Sequence, residues 1–140
     1  MGKSYLMTRY LLDTNHLSPL VTLDHPLRAK VLQQISSGDS FAIASPALNE
    51  FLFGIGIVKR SAQNWREWEF LRPSFTYYAV DAAIAEDAAR LRINLRSHGR
   101  QLETIDSMLA IIALRQDFIL LTKDKDFQAV PGLKQENWIV

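Results

Sequence analysis

Short apolar runs recur along the chain, and their composition predicts buried strands. They are rich in leucine, isoleucine, alanine and aromatic residues, and polar turn-forming residues lie between them and the next patterned segment. The predicted strands lie at 9–12, 41–44, 75–80 and 118–122, with a last short strand at 137–140.

Between these strands, apolar residues recur every three or four positions, which is the spacing of a helix with one buried face. A helix start is expected directly after the first strand, at the Asp-Thr-Asn sequence. Longer helices are expected after Pro26, from Ser45 and Ser61 as N-caps, after Asp81 as N-cap, and from Thr104 to Leu114. Their expected ends lie at 36–40, near Gly54 and Gly56, at Pro73 and at Gly99.

Strands that alternate with helices indicate right-handed crossovers and a mostly parallel central sheet with helices on both faces. The chain has 140 residues, of which 48% are hydrophobic and 22% charged, as is typical of one globular domain. No repeat, linker or low-complexity tract divides the sequence. The fold class predicted is therefore α/β, as a single domain over residues 1–140.

Composition excludes several classes of function. The chain has no cysteine, which excludes zinc–thiolate sites, disulfide frameworks and thiol chemistry. No apolar run approaches the roughly 20 residues that cross a bilayer. Asp13 follows Met1 too closely for a signal-peptide core, so we expect a soluble, cytoplasmic protein without membrane contact. Translation could start at Met1 or at Met7, because either start keeps the first strand.

Four acidic residues occupy positions where an open α/β sheet places its ligands, beyond the carboxyl ends of the strands. Asp13 follows the first strand, and Asp124 lies two residues past the strand at 118–122. Asp106 lies in the first turn of the predicted helix from Thr104, and Glu50 lies early in the helix after 41–44. Taken singly, each has an ordinary explanation as a cap, a turn residue or a solvated surface charge.

The surroundings of these acids favour a shared site. The seven residues after Ser107 are all apolar, so Asp106 projects from a buried helix. Carboxylates gathered at low dielectric repel, and they must take up protons or gain a counter-charge. A divalent cation supplies that charge, and oxygen ligands without cysteine select Mg²⁺ or Mn²⁺ rather than zinc.

The four segments that carry these acids resemble the PIN-domain ribonucleases, and among them the VapC-type toxins of toxin–antitoxin pairs. The segments are LLDTNHLSPL, SPALNEFLFG, ETIDSMLAIIAL and FILLTKDKDF, and the resemblance runs from Tyr10 to Trp138. It implies an acidic metal site, both catalytic and metal-binding, formed by Asp13, Glu50, Asp106 and Asp124. It also implies supporting polar residues, which are Asn15, Ser45 and Thr122. Many relatives have an aliphatic residue at the position of His16, whose role is left open.

The resemblance further implies an Mg²⁺- or Mn²⁺-dependent endoribonuclease, inhibited by a cognate VapB-like antitoxin and commonly dimeric. The residues suit this chemistry, because cations at a carboxylate cluster can bind a phosphate and activate water without a covalent intermediate. Analogy with other metal nucleases predicts 3′-hydroxyl and 5′-phosphate products. The RNA cleaved and the number of ions, one or two, are not specified by the sequence.

Other residues have two readings each. Lys123 and Lys125 could contact RNA phosphates or simply be solvated. Arg92 and Arg96 share a helix face, where a polyanion or a neighbouring acid could relieve their repulsion. His16, His25 and His98 share no metal-ligand spacing, and a structural role is favoured for each. The aromatic residues of segment 51–70 suggest either core packing or a hydrophobic surface shared by a homodimer and an antitoxin.

Three other functions stay open on sequence alone. One is a housekeeping PIN-type nuclease on structured RNA or DNA, and another is a PIN scaffold that only binds partners. The third is a metal-binding receiver-like domain, which expects paired acids at the end of the first strand and a central phosphoacceptor aspartate. That pattern fits poorly, because Glu50 lies within one predicted helix and Asp106 opens another.

Overall fold

A computed structural model describes residues 7–139 of the chain, and its centre is a five-stranded parallel sheet. The strand order is β3-β2-β1-β4-β5, and every neighbouring pair is parallel. The strands are β1 Arg9–Leu12, β2 Ser40–Ala44, β3 Thr76–Tyr78, β4 Ile119–Leu121 and β5 Gln135–Glu136. The predicted α/β class with a mostly parallel sheet is confirmed, and β1 lies at its centre.

Within residues 7–139, six α-helices connect the strands and surround the sheet. They are α1 Thr14–Leu17, α2 Pro26–Ser36, α3 Ser45–Gly56, α4 Ser61–Leu71, α5 Ala82–Ser97 and α6 Thr104–Gln116. Short 3₁₀ turns follow α1, α4 and β4. No helix within residues 7–139 is long and apolar enough to cross a membrane. That residues 1–140 form one domain stays a prediction.

The core is built on the three central strands, whose residues are buried on both faces as parallel sheets require. Leu11 pairs with Ala42 on one side and Leu120 on the other, and all three side chains are almost completely buried. Asp13 N–H donates to Leu121 O at 3.0 Å, which extends the β1–β4 ladder by one residue. This bond brings the carboxyl ends of β1 and β4 to the same level.

The strand predicted at 137–140 is wrong, since β5 comes earlier, at Gln135–Glu136; Val140 lies outside the described residues. Trp138 contacts His16 and Tyr10 instead of pairing with a strand. Its backbone N–H donates to the His16 ring at 3.0 Å, and its indole meets the Tyr10 ring edge to face at 4.8 Å between centroids. The aromatic and aliphatic pattern of this segment reflects packing onto the sheet rather than pairing with it. The strands predicted at 75–80 and 118–122 exist but are shorter.

Two predicted helix caps are also wrong. Ala44 and Arg60 occupy the N-cap positions of α3 and α4, so Ser45 and Ser61 are the first helical residues and make no capping hydrogen bond. Ser45 Oγ instead accepts from Val80 N–H at 3.3 Å, which ties α3 to the chain after β3. The cap predicted at Asp81 is confirmed, with the carboxylate accepting from Ile84 N–H at 2.9 Å.

Candidate active site

Asp13 is the anchor of a polar cluster at the carboxyl edge of β1 and β4. It caps α1, where Oδ1 accepts from Thr14 N–H at 2.7 Å. Oδ2 accepts from the Thr122 hydroxyl at 2.8 Å and from the Asn15 amide at 3.2 Å. Since Asp13 is only 7% exposed, these donors replace the water that its carboxylate loses on burial.

Thr122 links this anchor to the second acid. Its hydroxyl donates to Asp13 and accepts from Asp124 N–H at 3.0 Å. Asp124 in turn caps the 3₁₀ turn after β4, with Oδ1 accepting from Asp126 N–H at 2.9 Å. One buried hydroxyl therefore fixes the chain after β4 relative to Asp13. The supporting positions predicted at Asn15 and Thr122 both contact Asp13.

His16, whose role the sequence left open, is completely buried and fixes the orientation of Asn15. The backbone N–H of Trp138 can only donate, so His16 Nε2 accepts and is unprotonated. The proton then lies on Nδ1, which donates to Asn15 Oδ1 at 2.6 Å. With its oxygen held in this way, Asn15 presents its NH₂ group to Asp13. Burial, with the charge of Lys123, lowers the pKa of His16 to about 4, so the ring is neutral.

Glu50 and Asp106 belong to two helices, α3 and α6. Glu50 is an exposed residue of α3, and its Oε1 accepts from the Thr14 hydroxyl at 3.3 Å. Asp106 lies in the first turn of α6, as predicted, and is half-buried. Ser107 beside it is buried, and its hydroxyl donates a hydrogen bond to Thr104 O at 2.6 Å, which keeps this first turn in place.

The pKa shifts show that the four acids share one electrostatic environment. Burial raises the pKa of Asp106 to about 7, and the charges of Asp13, Asp124, Glu103 and Glu50 add to this rise. Burial also raises the pKa of Asp13, against the hydrogen bonds from Thr122 and Thr14, while Asp124 and Glu50 push it further upward. The four acids that the sequence singled out therefore act on one another electrostatically at this edge of the sheet.

Donor chemistry decides which ligand this environment fits. Within residues 7–139, no three His, Asp or Glu side chains already lie close enough to hold one metal ion between them. The donors are nevertheless all carboxylate oxygens with a surplus of negative charge, which is the set that hard divalent cations bind. The repulsion that raises the pKa of Asp106 is also the repulsion that such a cation would remove. The donor set therefore fits a hard divalent cation by its chemistry.

The remaining predicted residues lie at the margin of the site. Ser45 hydrogen-bonds to Val80 rather than to any of the four acids. Lys123 and Lys125 line a cavity of about 220 Å³ beside Asp124. Of the other histidines, His25 caps α2 and His98 is exposed at the end of α5. The link from His16 to Asn15 is not predicted by the sequence, since His16 lies in a polar, turn-forming segment and its other partner, Trp138, is far away along the chain.

Comparisons with known proteins agree with this geometry. A family model described as "PIN domain" matches residues 10–133. The chain is 26% identical over 133 residues to the tRNA(fMet)-specific endonuclease VapC of Shigella flexneri, which covers 94% of this chain and 99% of that protein. It is 25% identical over 130 residues to ribonuclease VapC2 of Rickettsia felis, covering 92% and 97%.

A solved structure shows the same fold. VapBC2 from Rickettsia felis, bound to a DNA fragment from its promoter, matches with a TM-score of 0.81. The match is 23% identical and covers 94% of this chain and 100% of the matched chain.

The raised pKa of Asp106 predicts how stability without metal depends on pH. Between the ordinary value of 3.8 and about 7, the folded chain binds this proton more tightly than the unfolded chain does. The free energy of unfolding therefore falls as pH rises through this range. Asp106→Asn removes this pH dependence. In EDTA, the melting temperature of the variant minus that of wild type should therefore increase by a few degrees from pH 5 to pH 8. A gap that stays constant or narrows would contradict the assignment.

His16→Ala should lower the free energy of unfolding by about 2–4 kcal/mol, because it opens a cavity and leaves Trp138 N–H without its acceptor. His98→Ala is the matched control; this side chain is exposed, and its loss should cost no more than about 0.5 kcal/mol. Urea denaturation of the two variants measures the difference. Equal losses in both would show that the buried hydrogen bonds of His16 contribute nothing.

Proposed function

The chain belongs to the PIN-domain family, since the family model covers residues 10–133, and from that premise we propose that it is a metal-dependent endoribonuclease. The family membership confirms the resemblance found in the sequence. We further propose that the enzyme is the toxin of a VapBC-type pair, which the names of the matched proteins support. The single observation that carries the proposal is the meeting of Asp13, Glu50, Asp106 and Asp124 in one shared field at the sheet edge.

In this proposal, Asp13, Glu50, Asp106 and Asp124 hold Mg²⁺ or Mn²⁺. The chemistry supplied by a bound cation here is Lewis-acid activation of water and neutralisation of charge at the scissile phosphate. Asp13 supplies a fixed carboxylate, because both of its oxygens accept hydrogen bonds. Asp106 supplies a carboxylate that can hold a proton near neutral pH and release it when a counter-charge arrives.

The structure also bears on the receiver-like alternative. A receiver domain needs a phosphoacceptor aspartate beside paired acids at the end of its first strand. Here Glu50 reaches the cluster from α3 and Asp106 from α6, so only Asp13 follows β1. The arrangement suits a shared cation more than a phosphorylated side chain.

We propose that the partners of the chain are its RNA substrate, a cognate VapB-like antitoxin and a second copy of itself. The hydrophobic surface predicted within 51–70 divides in the structure: Phe51 and Trp68 belong to the core, where their rings meet edge to face. Five large apolar side chains of α3, α4 and their connection are exposed, whereas Ile55 and Leu71 are buried; the exposed ones are Phe53, Ile57, Val58, Trp65 and Phe70. Such a concentration of exposed apolar side chains is typical of an interface.

Light scattering should therefore show a dimer at micromolar concentration. Phe53→Glu should shift the species towards the monomer, because it places a charge on a 66% exposed phenylalanine of the apolar surface. Leu23→Glu is the control, since Leu23 is also exposed but lies outside α3 and α4. A wild-type monomer at high concentration would contradict the dimer.

Asp106→Asn should abolish Mg²⁺-dependent cleavage of RNA while leaving the fold intact, because asparagine keeps the shape and loses the charge. The matched control is Asp117→Asn, an exposed aspartate in the left-handed region (φ 56°) that asparagine tolerates. It should cleave at about the wild-type rate, as followed by gel separation of a labelled RNA. Wild-type cleavage by Asp106→Asn would overturn the site, and no cleavage by the wild-type chain with Mg²⁺ or Mn²⁺ would overturn the function.

A further inference from the structure

A groove of about 510 Å³ lies between α5 and the segment that leads into α6. Three arginines line it, Arg92 and Arg96 from one face of α5 and Arg100 from the turn that follows. The acids in its lining are Glu103 and Asp126. Arg96, Arg100 and Asp126 also line an adjoining hollow. The groove is therefore the place where the arginine pair noted in the sequence gains a third member.

These arginines differ from the paired arginines of the chain. Arg28, Arg90 and Arg115 each form an ion pair with a carboxylate. Across residues 7–139, the groove arginines form no ion pair within 4 Å, even though the two acids line the same groove. Only Arg92 is partly engaged, since its Nε donates to Leu102 O at 3.1 Å. Three neighbouring guanidinium groups thus keep free N–H donors and repel one another, which an anion would relieve.

The groove borders the acidic cluster on two sides. Glu103 lies in its wall and contributes to the raised pKa of Asp106. Asp126 lies in its wall and donates its backbone N–H to Asp124. A second cavity beside Asp124 is lined by Lys123 and Lys125, whose charges Asp124 and Glu136 in the same lining balance. A strand with one phosphate at the acidic cluster would therefore have net cationic surface beside it in the groove lined by the three arginines.

We propose that the arginine groove binds the phosphodiester backbone of single-stranded RNA next to the bond that is cut. The inference rests on the proposed nuclease function and adds the residues that hold the flanking strand. Guanidinium groups match phosphate oxygens in a two-point geometry, which suits backbone contacts that position a strand without reading its bases. The groove therefore sets how tightly RNA binds and leaves the choice of sequence to other contacts.

The test uses the whole chain and a fluorescein-labelled single-stranded RNA in EDTA, so that binding is measured without cleavage. Arg96→Gln/Arg100→Gln removes two exposed, unpaired charges, and Arg72→Gln/Arg90→Gln removes the same net charge outside the groove. Anisotropy is measured between 50 and 200 mM KCl. We expect the groove variant to bind at least tenfold more weakly and its salt slope to fall by about 1.4, since each lost contact to a single strand contributes about 0.7. The control should stay within about twofold of wild type.

Cleavage with Mg²⁺ supplies the second readout. The groove variant should show a raised KM and a nearly unchanged kcat, because its lost contacts hold the strand and not the reacting atoms. Equal RNA affinity and equal salt slope in the two double variants would overturn the proposal that the groove binds RNA. An altered oligomeric state with unaltered RNA binding would overturn it as well. A wild-type chain that binds RNA through these arginines but never cleaves it would overturn the nuclease function and keep the groove.

Discussion

The structure depends on keeping a buried carboxylate at the point where two parallel strands end. Asp13 loses most of its hydration there, and three donors hold its oxygens in place of water. A different part of the structure positions each donor. Thr14 lies in the helix that Asp13 caps, Thr122 lies at the end of β4, and Asn15 is held by the buried His16. These contacts neutralise none of the charge. Burial and the charges of the neighbouring acids together raise the pKa of Asp106 to about 7.

The surplus of negative charge at these acids explains how the charged side chains around them are arranged. The acids gather at one edge of the sheet, where parallel topology brings strand ends and the helix starts of α3 and α6 together. Arginines and lysines line the hollows beside that edge, although the chain as a whole carries a net charge of only +1. An acidic centre with a cationic groove beside it suits a polyanion, because a bound cation would contact the reacting phosphate and the arginines would hold a neighbouring one.

The sequence predicted best what depends on local pattern and topology. Apolar runs predicted β1 to β4, and Asp13, Asp106 and Asp124 lie in the elements where the sequence placed them. That the four acids form one site stays a prediction. Prediction from the sequence failed where tertiary contacts decide the local structure. Ser45 and Ser61 have capping chemistry, yet both lie one residue inside their helices. β5 is two polar residues without a pattern, while the aromatic segment after it packs onto Tyr10. The role of His16 required a partner 122 residues away, which no local motif encodes.

We propose that the four acids form one cation site, in which a divalent cation supplies their counter-charge. Crystals soaked in Mn²⁺ test it directly, because manganese gives an anomalous signal that locates the ion without reference to any assumed site. The account predicts a peak at the carboxyl edge of β1 and β4, with oxygens of Asp13 and Asp106 within about 2.0–2.6 Å, the range spanned by Mg²⁺ and Ca²⁺ oxygen ligands. A fully soaked crystal with no peak there, or with its principal peak among other side chains, would contradict it.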